Sequence, residues 1–136
     1  MMKILILTIT TTAILCANEY VVITNKNLNI DLLTQLQVKA IFLKKNLIVN
    51  DKKMVPINLL ASDQIRASFE KNILHMSRSR LKSFWTKEHY QGQRAPLNMK
   101  SSRSVIAFVK KIDGAIGYVP LSDADDSIKT VYKWSE

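Results

Sequence analysis

Ser101, Ser102 and Ser104 surround Arg103 at the start of an apolar-periodic segment, and three hydroxyls beside a guanidinium are donors of the kind that hold a small oxyanion at a helix N-terminus. The same serines are good helix caps, so capping and anion binding stay open together. Arg66 follows Asp63 by three residues, one turn into another periodic segment. From there it can deliver a guanidinium toward an anion near that helix start, with Ser62 beside it; a solvated helix arginine would read identically. Asn25 and Asn27 lie in the polar "NKN" that ends the first apolar run. They are placed to line a cleft at a strand's carboxyl end, or to be plain turn residues.

Other chemistries find little support. His75 and His89 are the only histidines and have no carboxylates at ligand spacing. "LSDADDS", with Asp123, Asp125 and Asp126, lacks the glycine and the terminal glutamate of a calcium loop and reads as a solvated acidic turn. No Ser-His-Asp arrangement and no glycine-rich phosphate loop can be assembled, so the chain reads as non-catalytic and without a cofactor or metal. The run "RSRLKSFWTKEHYQGQR" mixes cations with aromatics, as a nucleic-acid surface does. Leu81, Phe84 and Trp85, however, share one helical stripe and read as core, so no nucleic-acid partner is expected.

The elements that must position these residues follow from periodicity and breakers. "EYVVIT" is β-branched and reads as a first strand over 20–24. Asp31 is expected to cap a helix carrying Leu33, Leu36 and Ala40. Asn50-Asp51-Lys52-Lys53 is turn chemistry between two apolar pieces, and Pro56 implies an edge strand or a strand end. Ser62 or Asp63 caps a second helix with Ile65, Phe69 and Ile73 at i, i+4 and i+8. Ser77 caps a third after the corner "LHMS", and Gly92 and Pro96 make "QGQRAPLN" a loop. A fourth helix opens at Ser101 or Ser102 and carries Val105, Phe108, Val109 and Ile112, with Gly114 as its left-handed C-cap. Gly117 then falls inside a strand, where a glycine implies a close neighbour. The last strand alternates Ile128, Thr130, Tyr132 and Trp134 against Lys129, Val131 and Lys133. Helices interleaved with strands make an α/β domain with a mixed β-sheet flanked by helices.

The chain has 136 residues, enough for one domain, with 47% hydrophobic residues and a net charge of +9. Such a basic balance suits anionic small molecules, membrane surfaces or acidic polymers without choosing among them. Lys3 followed by the apolar and hydroxyl run to Cys16 has the layout of a secretory signal peptide over 1–17, which implies export, with a single domain over 18–136. Leu15, bulky where a small residue is usual, argues against a lipoprotein on Cys16. Removal after Ala17 would leave no cysteine for disulfides or thiol chemistry.

Taken in order, "LLTQLQVKAIFLKK", "MVPINLL", "IRASFEKNIL", "SRLKSFWTKEHYQG" and "SSRSVIAFVKKIDGAIGYV" resemble the short, exported, phosphate-transporter substrate-binding-protein-like family. The resemblance rests on Ile41-Phe42-Leu43-Lys44-Lys45, Val55-Pro56-Ile57, Phe69, Trp85, Gly92, Pro96 and the run Gly114 to Val119, and it covers about 20–134. It implies one lobe of a type 2 periplasmic binding protein, a periplasmic location, phosphate as ligand and an ABC transporter as membrane partner. Two departures qualify that implication. Full-length phosphate-binding relatives carry an arginine soon after the Val-Pro-Val-like strand and then a Ser-Gly-Thr turn; here those positions fall near Leu59 and on Asp63-Gln64-Ile65. A desolvated phosphate needs charge-assisted donors, and Asp63 adds a carboxylate instead. The alternative is therefore an accessory or interaction module that keeps the fold without the ligand.

Overall fold

A computed structural model describes residues 18–136; the leader expected over 1–17 lies outside the described residues. A five-stranded mixed sheet forms the centre, built from β1 (Glu19–Asn25), β4 (Val55–Leu59), β5 (Leu97–Met99), β6 (Ala115–Pro120) and β7 (Ile128–Ser135). Its order is β5-β4-β6-β1-β7. β4 runs parallel to both β5 and β6, while β1 runs antiparallel to β6 and β7. β2 (Ile48–Val49) and β3 (Lys52–Lys53) form a separate hairpin. Its turn residues Asn50 and Asp51 both have positive φ, the conformation that a two-residue hairpin turn requires. Pro56 is the second residue of β4, one position before pairing with β5 begins at Ile57, so its missing N–H interrupts no bond to that strand.

The helices are α1 (Gln35–Phe42), α2 (Gln64–Phe69), α3 (Arg78–Tyr90) and α4 (Ser102–Lys111), with a π-helical turn over Glu70–Leu74 continuing α2. Asp63 caps α2 and Ser77 caps α3. His75, at φ 52°, makes the corner between the π-helical turn and α3. Three expectations are corrected. The cap of α1 is Thr34, not Asp31. Thr34 Oγ1 accepts from Gln37 N while Gln37 Oε1 accepts from Thr34 N, and this reciprocal pair outcompetes a carboxylate three residues too early. Leu36 in consequence faces solvent at 77% exposure, and Val38, Ile41 and Phe42 form the buried stripe. α4 ends on extended Ile112, and its last carbonyls, Val109 O and Lys110 O, accept from Asn25 Nδ2 rather than from a glycine cap. Gly114, at φ 80°, instead turns the chain into β6, where a β-carbon would lie 2.4 Å from Lys53 O. In β7 the alternation breaks at a bulge. Val22 pairs with Tyr132 and Ile23 with Thr130, so Val131 is the extra residue, and it is buried.

Gly117 supplies the close approach its position implied. A β-carbon there would meet Val105 Cγ1 at 2.6 Å and Ile57 Cγ1 at 3.1 Å, so α4 packs against the sheet across the bare backbone of β6. An aromatic cluster fills the other part of the core. Phe42 meets Phe69 edge-on with centroids 4.7 Å apart, Phe69 stacks on Tyr118, and Trp134 packs edge-on against both. The polar atoms of that cluster are paired: Trp134 Nε1 donates to Ser68 Oγ at 3.0 Å, and Tyr118 Oη donates to Asn58 Oδ1 at 2.8 Å.

Candidate functional site

Strand direction brings three strand ends to one edge of the sheet. β4, β5 and β6 run the same way, so Leu59, Met99 and Pro120 finish together. α2 starts after the first, α4 after the second, and a 3-10 turn (Leu121–Asp123) follows the third. In open α/β sheets, ligands sit at such a carboxyl edge, facing helix amino termini.

The start of α4 carries neutral donors. Ser101 Oγ accepts from Ser104 N at 3.2 Å and lies 3.1 Å from Ser104 Oγ, and Ser102 opens the helix half-buried. Arg103 is exposed and, with Ile106 and Asp123, lines a depression of ≈ 260 Å³, which sets a carboxylate across from its guanidinium. The start of α2 is different, because Asp63 Oδ1 already accepts from Ile65 N at 2.8 Å. A helix start filled by its own carboxylate is a poor place for an anion. Ser62 is exposed in the turn before it.

Arg66 sits at the same edge and is only 16% exposed. Its Nη1 donates to Leu59 O at 3.0 Å and to Asn98 Oδ1 at 3.1 Å, so one guanidinium ties the ends of β4 and β5. Its Nε lies 3.5 Å from Glu70 Oε2 and is buried without a hydrogen bond. Glu70 is itself buried, and its Oε1 accepts from Arg78 Nε and Nη2 at 2.9 and 2.6 Å. Arg78 Nη1 in turn donates to Ala61 O at 2.9 Å. Two guanidiniums thus share one carboxylate and hold the 59–63 turn through its carbonyls. Behind them the phenol of Tyr118 accepts from Leu59 N at 3.4 Å, and burial pushes its pKa above the usual tyrosine value. A further depression of ≈ 530 Å³ opens on this edge between Glu19, Tyr20, Ile65, Pro120 and Ser122, among others.

Of the residues singled out from sequence, Ser62, Arg66, Ser101, Ser102 and Arg103 lie on this edge. Asn25 and Asn27 stand at the opposite one, because β1 runs against β4 and β6. There Asn25 Oδ1 accepts from Asn27 N at 2.9 Å while its amide holds the end of α4. Sequence reasoning missed Asn98, Glu70 and Arg78. The i, i+4 spacing of Arg66 and Glu70 was a signal for one of them. The contact of Arg66 with Asn98 spans 32 residues and had no local signal. Among the described residues no group of three or more His, Cys, Asp or Glu is arranged to hold a metal, and no helix is long and apolar enough to cross a membrane.

The architecture, an α/β fold built on a mixed sheet, is shared with several proteins of known structure. A structure with bound phosphate from Clostridium perfringens, of a protein assigned as a phosphate ABC transporter substrate-binding protein, superposes with a TM-score of 0.70 at 23% identity. An ABC-type phosphate transport receptor from Vibrio cholerae matches at 0.68 and 18%, and PstS from Borrelia burgdorferi at 0.63 and 16%. Each match covers 85% of this chain but only 44%, 46% and 47% of the respective structure, so the chain spans less than half the length of the proteins whose fold it shares. No protein-family model matches the sequence. A comparison with curated proteins likewise gives no match.

Proposed function

We propose that the protein is a non-catalytic, exported solute-binding module of one lobe, which takes a small oxyanion, phosphate foremost, at the carboxyl edge of β4, β5 and β6. The observation that carries this reading is the start of α4. It is capped by a serine hydroxyl rather than a carboxylate, has a second hydroxyl 3.1 Å away and exposed Arg103 beside it, and shares its edge with Arg66. Ser101, Ser102 and Arg103 would meet the anion, and Arg66 would hold the two strand ends in place. The fold likeness supports the ligand class, since one of the similar structures holds phosphate. The described residues form one lobe and leave this edge open, so the opposite wall of the site would be supplied from outside that lobe. The similar proteins from Clostridium perfringens and Vibrio cholerae serve phosphate ABC transport, which makes an ABC transporter in the membrane the corresponding partner here.

One observation favours a second reading. Arg66 is bound to Leu59 O and Asn98 and faces Glu70, an arrangement that serves the fold and needs no ligand. On that reading the protein is an accessory module acting on a protein partner. Titration calorimetry of the purified chain with phosphate and sulfate separates the two. Saturable heat with phosphate that is lost in Arg103→Ala and weakened in Ser102→Ala supports the binding module. A folded protein that gives no heat with either anion leaves the accessory reading.

A further inference from the structure

α3 is a thirteen-residue helix with one buried residue, Leu81. Its inner side is completed by Phe84, which lies under Lys45 Nζ at 5.8 Å and meets the half-buried Trp85 edge-on with centroids 4.9 Å apart. Among the described residues, the rest of the helix is exposed or half-buried. From Arg78 through the following loop to Arg94 the chain carries five basic residues against a single acid, Glu88. Arg78 is engaged with Glu70, but Arg80, Lys82, Lys87 and Arg94 are exposed and have no ion-pair partner among the described residues.

These free cations are gathered around an aromatic. Tyr90 is 87% exposed and borders two open, shallow grooves. Lys82 and Tyr90 line both; Trp85 and Arg94 line one, and Lys87 the other. The helix thus presents a positive surface with aromatic rings in it, resting on the domain by its opposite side.

We propose that this face of α3 docks the protein on a bilayer surface rich in anionic phospholipid. Three features select the bilayer over other anionic partners. Four unpaired cations on one exposed helix and its loop complement a negative surface potential. Tyrosine and tryptophan beside lysine are the residues that settle at the headgroup level, with rings among the upper acyl carbons and polar atoms in water. The grooves are open and shallow and enclose no single ligand, which suits a field of headgroups. This surface is distinct from the carboxyl edge proposed for phosphate and does not depend on that reading.

Sedimentation of the purified full chain with phosphatidylglycerol–phosphatidylcholine vesicles tests the proposal, with pure phosphatidylcholine vesicles alongside. Binding is expected to the anionic vesicles alone and to be released by high salt. The double variant Lys82→Glu, Lys87→Glu should lower the partition coefficient by roughly 25-fold or more, on the contribution of each lysine near such a surface. A charge-matched variant, Lys26→Glu with Lys133→Glu, changes two exposed lysines away from α3 and should bind nearly as the parent does. Of the two tryptophans, Trp134 is buried in the core, so a blue shift of Trp85 emission on adding vesicles would report contact through this face. Three results would each overturn the inference: no binding to the anionic vesicles, an equal loss in the charge-matched variant, or binding to poly-glutamate or nucleic acid without binding to vesicles.

Discussion

The rings of Phe69 and Tyr118 stack face to face, with centroids 4.1 Å apart and planes 8° from parallel. The stack joins α2 to β6 and thereby fixes where the tyrosine hydroxyl ends, between Asn58 Oδ1 and Leu59 N at the tip of β4. Packing in the core and geometry at the carboxyl edge are therefore linked through one side chain.

Tyr118→Phe keeps the stack and removes both hydrogen bonds. It should cost about 1–2 kcal/mol near neutral pH, because Asn58 and Leu59 lose a buried partner. Its pH dependence gives a sharper test. Burial holds the folded phenol's proton at a pH where an unfolded tyrosine, with a pKa of about 10, has released it. The native state then binds more protons than the unfolded state, so this contribution is intact below about pH 10 and is lost as pH rises beyond it. Urea unfolding of the parent should weaken above that pH more steeply than that of Tyr118→Phe. Parallel slopes would show that the phenol is not the group responsible.

Gly117→Ala should destabilise by about 1–3 kcal/mol, since the added methyl would sit 2.6 Å from Val105 Cγ1 and either α4 or β6 must shift. Val105→Ala opens a cavity and destabilises by itself. Combined, the two changes should cost less than their sum, because each relieves the other, and a double-mutant cycle by urea unfolding measures that coupling. Additive costs would mean that Ile57, 3.1 Å from the same point, sets the limit instead.

Glu70→Gln leaves two arginines facing a neutral amide. Breaking a buried pair costs roughly 3–5 kcal/mol, and the half-exposure of Arg78 reduces this to about 2–3 kcal/mol. The same change removes a negative charge from the edge proposed to take phosphate. Phosphate should therefore bind several-fold tighter to Glu70→Gln than to the parent, read by calorimetry at a temperature where both are folded. Unchanged affinity would detach the Arg66–Glu70 pair from the anion site.

Much of this architecture was legible because it is local. The i, i+4, i+8 spacing of Ile65, Phe69 and Ile73 gave α2 and its π-helical continuation, and two glycines around an apolar run marked β6. The errors lie where a distant partner decides. Asn25 reads as a cleft-lining residue or a plain turn residue, yet its amide closes the end of α4, 84 and 85 residues away. Val131 alternates with lysines in the sequence, yet a bulge set by pairing with β1 turns it inward, and its carbonyl accepts from Leu33 N at 2.9 Å. The site was legible to the same degree. Serines beside Arg103 are a short-range pattern, whereas the engagement of Arg66 by Asn98 and of Arg78 by Glu70 exists only once β4, β5 and α3 are assembled.

The start of α1 turns that distinction into a measurement. Asp31 is the cap expected from sequence, since a carboxylate interacts favourably with the helix dipole. The structure selects Thr34 because Gln37 stands three residues on and bonds back to the Thr34 amide at 2.8 Å, while Leu33 before the cap and Val38 in the next turn are both buried, in the positions of a hydrophobic staple. Shifting the cap to Asp31 would pull Leu33 from the core. Thr34→Ala should therefore cost about 1 kcal/mol and Gln37→Ala a smaller amount, whereas Asp31→Ala, at an exposed position outside the helix, should fall within about 0.5 kcal/mol of the parent. Urea unfolding of the three variants orders them. Asp31→Ala as the most damaging of the three would mean that the helix begins a turn earlier than Thr34, with Leu36 returned to the buried stripe.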